Sequence, residues 1–138
     1  MMRQEPLKGL LRSATMYKKG RSAERYVVEK LWSLGYAAIR TPGSGKKYRR
    51  PHPDIIAGNG THYFIIEVKT IKEEAKYFSL ESIENLKKFA ATFGGIPLLA
   101  CRFHSSWRLF FTHDLTETKH GLKAEKGNGR LLEVVFCA

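Results

Sequence analysis

The chain has 138 residues, 43% of them hydrophobic, and a formal net charge of +11. That is the size of one ordinary domain with enough apolar material for a core. No apolar stretch is long enough to span a bilayer, and "MMRQEPLKGLLRSATMYKKG" lacks the continuous apolar segment of a signal peptide, so a cytoplasmic protein is expected and a membrane protein is not.

The charge is lopsided. Residues 1–50 carry 13 Lys and Arg against 3 Asp and Glu, whereas residues 51–138 carry 11 against 10. Such a distribution is an electrostatic footprint for a polyanion, of which nucleic acid is the commonest. Basicity alone also describes ribosomal and membrane-surface proteins. Cys101 and Cys137 form no CxxC pair and the five histidines are scattered, which argues against zinc and predicts two reduced, largely buried thiols.

Residues 1–15 read as a basic arm, with Pro6 and Gly9 opposing regular structure, ahead of one domain over 16–138. A helix is predicted from Ser22 to Leu34: Val27, Val28, Leu31 and Leu34 recur at helical spacing, and Gly35 suits its end. Glu24 stands at i to Val27, Val28 and Leu31, so this acid points toward the apolar side. "YAAIRT" (36–41) is a short strand. "PGSGKKYRRPHP" (42–53) is a loop made basic by Lys46, Lys47, Arg49 and Arg50.

"DIIAGNGTHYFIIEVK" (54–69) reads as a hairpin, two apolar runs around Asn-Gly. "SLESIENLKKFAATFGG" (79–95) is a second helix, with Ser79 as N-cap and Gly94-Gly95 as stop. "IPLLACRF" and "WRLFFT" are two further strands joined by His-Ser-Ser. The tail holds a flexible "EKGNG" and an apolar "LLEVVF" whose pattern fits strand or helix. No internal repeat or low-complexity tract is present. The order predicts an α/β fold: a single domain whose mixed central β-sheet is flanked by helices.

The hairpin carries the chemistry. Glu67 and Lys69 share a strand face with Tyr63 and Ile65. With Asn59-Gly60 as a two-residue turn, Asp54 pairs with Ile65 and lies diagonal to Glu67 on the same face. Paired carboxylates repel unless a cation lies between them, and Mg²⁺ takes oxygen ligands of this kind. A metal there polarises a phosphodiester and acidifies a bound water; Lys69 stabilises the developing charge. Glu24 can reach the same metal from the first helix, and the basic loop beside Asp54 can hold a phosphate backbone.

"PDIIAG…IIEVK" resembles the PD-(D/E)xK nuclease superfamily, the restriction-endonuclease-like fold. From about Tyr17 to about Trp107 the chain further resembles the archaeal Holliday junction resolvases, through "YKKGRSAERYVVEKLWSLGYAAIRTPGSG", "PHPDIIA", "IIEVK" and "FAATFGGIPLLACRF". The resemblance implies a Mg²⁺-dependent homodimer, with Mn²⁺ as a substitute, that nicks four-way DNA junctions near the nucleoid. It implies metal ligation by Glu24, Asp54 and Glu67, Lys69 as the catalytic lysine, and Ser44 near the scissile phosphate. It also implies DNA contacts from Arg21, Arg25 and Arg40, and a subunit contact through Phe89 and Phe93. The residues beyond about 113 and the N-terminal arm add nothing to it.

The expected function is therefore a structure-selective endonuclease that resolves Holliday junctions by paired symmetric nicks. Two rivals remain open on sequence alone: a restriction or repair nuclease of the same fold acting on duplex or flap DNA, and a non-catalytic basic nucleic-acid-binding protein. No motif identifies a recruiting protein.

Overall fold

A computed structural model describes residues 20–42 and 50–137. The N-terminal arm, Ser44, Lys46, Lys47 and Arg49 lie outside the described residues.

A helix, α1, occupies residues 20–33. Its buried side is Ala23, Val27 and Leu31, one row at four-residue spacing. The strands β1 (Ala37–Arg40), β2 (Ile55–Gly58), β3 (Tyr63–Ile71), β5 (Ile96–Phe103) and β6 (Ser106–Phe111) form one sheet in the order β1-β2-β3-β5-β6. Only β3 and β5 run parallel; the other pairs are antiparallel. The crossover between them is α2 (Leu80–Phe93), as a parallel connection requires.

Both ends of α2 follow from the sequence. The Ser79 side chain accepts the Ser82 N–H at 3.1 Å, and Gly94 takes the left-handed conformation at φ 97° while its N–H donates to the Ala90 carbonyl. The β5–β6 turn centres on His104 and Ser105, with His104 at φ 57°.

Apolar strands fill both faces of the sheet. One face packs against α1 and the C-terminal helix α3 (Leu132–Phe136), burying Val27, Leu31, Ile55, Phe64, Leu98 and Phe136. The Tyr36 hydroxyl donates to the Phe136 carbonyl at 3.0 Å and ties the tail to this core. The other face packs against α2, burying Ile65, Ile83, Leu86, Leu99 and Phe103. The "LLEVVF" segment is thus helical. Cys101 is buried as expected, whereas Cys137, on the last turn of the tail, is exposed.

A second sheet stands beside the predicted one. β4 (Ala75–Phe78), β7 (Thr116–Thr118) and β8 (Gly121–Glu125) pair antiparallel in the order β4-β8-β7. It closes over the α2 side through Phe78 and Ala124.

The hairpin register also differs from expectation. Gly58 pairs with Tyr63 and Ile55 with Ile66, so the turn centres on Gly60-Thr61 rather than Asn59-Gly60. The Asn59 side chain accepts the N–H groups of Thr61 (2.9 Å) and His62 (2.7 Å). A type I′ turn at Asn59-Gly60 needs positive φ at both residues, but Gly60 alone of the two has it, at 90°. Moving the turn by one residue moves the register by two, which preserves the strand faces.

Candidate active site

Asp54 precedes β2, beside the Ile55–Ile66 pair that ends its ladder with β3, and its charge acts on Glu67. Asp54 is clamped on three sides. Its N–H donates to the Ile66 carbonyl at 3.0 Å, and its carbonyl accepts the Thr41 N–H at 2.9 Å. Its Oδ2 accepts the Val68 N–H at 2.8 Å. β2 begins only at Ile55, so Val68 lies beyond the reach of that strand's ladder; the Asp54 carboxylate completes the missing bond. Pro53, buried, precedes it, and its carbonyl accepts from the Thr41 hydroxyl.

Lys69 follows Glu67 on the same face, its Nζ 3.9 Å from Glu67 Oε2. Glu24 enters from α1, where its Oε1 accepts from Arg40 Nε at 3.0 Å. Arg40, one of the implied DNA contacts, is therefore engaged in an ion pair with a candidate ligand. Arg21, Arg25 and Arg50 are exposed.

The electrostatics of the three acids run one way. Burial, reinforced by the charges of Asp54 and Glu24, pushes the Glu67 carboxyl up to about 7, against the opposing pull of Lys69. Burial also raises Asp54, despite the Val68 N–H and the charges of Lys69, His52 and Arg40. Burial raises Glu24 as well, with Asp54 adding and Arg40 opposing. Three partly desolvated carboxylates thus share a field that the nearby cations leave under-neutralised.

That donor set, all oxygen and anionic, fits a hard dication. Asp54 and Glu67 fit directly. Among the described residues no three acid, imidazole or thiol groups already converge at ligating separation, which agrees with Glu24 being held by Arg40.

Phe89 and Phe93 stack at 5.9 Å between ring centroids; Phe89 is half-buried against the α2-side core, and Phe93 is 53% exposed. A face carrying Phe93 is available to a partner. Sequence reasoning missed the wall opposite the hairpin. A cleft runs from Glu67 and Lys69 past His52 to Lys76, Tyr77 and Asn85. His52 also acts on Asp54 through its charge. Only its place between Pro51 and Pro53 marks it in sequence; nothing marks Asn85.

A family model described as the archaeal Holliday junction resolvase matches residues 15–136. The chain belongs to the archaeal Holliday junction resolvase family. The match runs through the tail, beyond the segment whose motifs resemble the family, in keeping with the part α3 plays in the core. The crossover junction endodeoxyribonuclease Hjc of Archaeoglobus fulgidus is 40% identical over 112 residues, covering 80% of this chain and 82% of that protein. The Hjc of Sulfurisphaera tokodaii is 36% identical over 104 residues, covering 75% and 72%. The solved structure of Hjc, a Holliday junction resolvase from Archaeoglobus fulgidus, superposes with a TM-score of 0.78 at 36% identity, covering 84% of this chain and 98% of that one. The restriction-endonuclease-like α/β fold of the family is the fold described above.

Proposed function

We propose that this chain is a structure-selective DNA endonuclease that resolves four-way junctions by paired symmetric nicks. The observation that carries the reading is Asp54, bonded to the Val68 N–H, acting by charge on the neighbouring Glu67, with Lys69 beside Glu67, in a member of this family. Nucleases of this kind are metal-dependent. Mg²⁺ is the ion proposed here, with Mn²⁺ as a substitute, because the donors are carboxylate oxygens. Asp54 and Glu67 would hold it, with Glu24 as the third ligand. Such an ion supplies Lewis-acid polarisation of the phosphate and an acidified water.

The chain's own residues do the rest. The Val68 N–H fixes the Asp54 carboxylate in one orientation, so one donor is preorganised before substrate arrives. Lys69 places its ammonium beside Glu67 and the phosphate, where negative charge builds as water attacks. Arg40 neutralises Glu24 in the resting state and exchanges it for the phosphate backbone on binding. Arg21, Arg25 and Arg50, with Lys46, Lys47 and Arg49 of the adjoining loop, hold the arms through their phosphates. Ser44 contacts the scissile phosphate.

Paired nicks require two sites related by two-fold symmetry, hence a homodimer. The exposed Phe93 and its stacked neighbour Phe89 support a contact there. No described helix is long and apolar enough to cross a membrane, and the proposed setting is the nucleoid in the cytoplasm. Residues 16–138 form the nuclease unit in this reading, and residues 1–15 add a basic arm.

The test is substrate choice. A synthetic four-way junction and a linear duplex of matched sequence are incubated with the protein and Mg²⁺, and the nicks are mapped on every strand. Symmetric nicks on opposed junction strands, with the duplex intact, are expected. Equal cutting of the duplex would remove the junction-specific part of the reading and leave a general nuclease.

A further inference from the structure

On the α2 side the catalytic hairpin opens into a cleft of about 330 Å³. Glu67 and Lys69 form one wall. The floor is apolar: Ile83, Leu86 and Leu99 are all buried. The rim is polar, with Lys76, Tyr77, Ser82 and Asn85. Phe89 closes the end, its ring backed by Phe93.

Asn85 is the member that packing does not explain. Ser82, Asn85, Leu86 and Phe89 follow the spacing of one helix stripe, and Asn85 is half-buried within it. Its side-chain amide makes no hydrogen bond among the described residues. Its polar atoms remain open to the cleft, where a ligand can reach them. An amide can also donate and accept at once.

We propose that this cleft receives one unstacked nucleotide of the junction, the neighbour of the scissile phosphate. The base lies on Ile83, Leu86 and Leu99 with its polar edge against Asn85. The inference rests on the junction-nicking reading, because Glu67 and Lys69 are a wall of the cleft. A nucleotide whose phosphate is held by those residues is the one able to enter. An apolar floor with a hydrogen-bonding rim is how proteins take bases out of the stack. Unstacking costs a few kcal/mol and costs least where stacking is already broken, as at a branch point. Lys69 and Lys76 supply positive charge for the flanking phosphates against the single acid Glu67. The cleft volume lies at the small end of ligand pockets, which suits one nucleotide and not a duplex. Junction recognition by shape thereby gains a local base preference at the cut.

The experiment places 2-aminopurine, one position at a time, at each nucleotide flanking the mapped cut of a four-way junction. Full-length protein is added with calcium in place of magnesium. One position next to the cut is expected to brighten severalfold on binding. Asn85→Phe, which fills the cleft, is expected to abolish that rise while the junction remains bound. Asn85→Ala, which keeps the space, is expected to keep the rise and to flatten the ranking of cleavage rates among the four bases there. Melting curves of both variants establish folding.

The proposal is overturned if no flanking position brightens, or if the rise persists in folded Asn85→Phe. It is also overturned if Asn85→Phe instead dissociates the dimer in sedimentation with the fluorescence unchanged, which would assign the cleft to a second copy of the chain. Failure of the parent reading looks different: the wild type would then nick no junction in magnesium.

Discussion

Asp54 lies just ahead of β2, its charge acts on Glu67, and its Oδ2 accepts the N–H of Val68, Glu67's own neighbour, at 2.8 Å. One carboxylate therefore supplies the bond missing ahead of β2 and also acts by charge on the second acid. Structure and chemistry share a residue, and they can be separated by mutation. Asp54→Asn keeps a side-chain oxygen for Val68; Asp54→Ala does not. Both remove the charge, so both should lose nicking. Asp54→Ala should in addition be less stable than Asp54→Asn by about 1–3 kcal/mol, the cost of an unpaired buried donor. Urea unfolding of the two variants side by side measures the difference, and equal midpoints would deny Val68 its dependence on Asp54.

Glu67 should make the metal-free protein less stable as pH rises. Its folded carboxyl is held up to about 7, above the ordinary 4.5. Between those values the folded state keeps a proton that the unfolded chain has lost. The stabilisation is complete below the unfolded value and disappears as pH climbs through about 7. Asp54 and Glu24, also raised by burial, act in the same direction. In chelator, the melting temperature should fall across this window. Glu67→Gln should melt above wild type at about pH 8 and close to it at about pH 4. Added Mg²⁺ should raise the wild-type melting temperature at the higher pH, where the carboxylates are free to bind it.

The opposite sign is expected at Asp114. Arg130 donates to both its carboxylate oxygens at 2.8 Å and stacks over Phe111, with 5.0 Å to the ring centroid. The guanidinium, helped by the Phe111 N–H, holds Asp114 below the ordinary carboxylate range. Its stabilisation is present above the unfolded value of 3.8 and is lost as pH falls through the lower folded value. Arg130→Met should lower the melting temperature at neutral pH, with the difference shrinking toward about pH 3. A constant difference across the range would contradict an electrostatic role.

Phe93→Glu tests the proposed subunit contact. Phe93 is 53% exposed, so the fold of one subunit should tolerate the change. Sedimentation should then report a monomer with an unchanged melting profile. Nicking of the two opposed strands should become uncoupled. A dimer that persists would place the subunit contact elsewhere.

Much of this architecture is legible in the sequence because its signals are local. Ser79 and Gly94 mark the ends of α2, the apolar runs of β2 and β3 mark the hairpin, and Glu-Val-Lys marks the polar step on one face of β3. The register departs from the sequence pattern because Asn-Gly favours a tight turn centred on itself, while here the Asn59 side chain caps two N–H groups and the turn sits one residue later. The second sheet has no strong sequence signal because β4 and β8 are short, bury one residue each, and pair across some fifty residues of chain. No local pattern announces such a contact. The Arg40–Glu24 pair and the cleft around Asn85 belong to the same class, since they are made by elements distant in sequence.

The most direct measurement of the central claim is single-turnover nicking of a four-way junction by wild type, Glu67→Ala and Lys69→Ala, at protein concentrations where binding is saturated. Wild type should nick in Mg²⁺ and stop in chelator. Both variants should still bind the junction but lose nicking by two or more orders of magnitude, the scale expected when a metal ligand or a charge-stabilising group is removed. Variants that bind and nick at the wild-type rate would contradict the account and reduce Glu67 and Lys69 to the polar end of a strand.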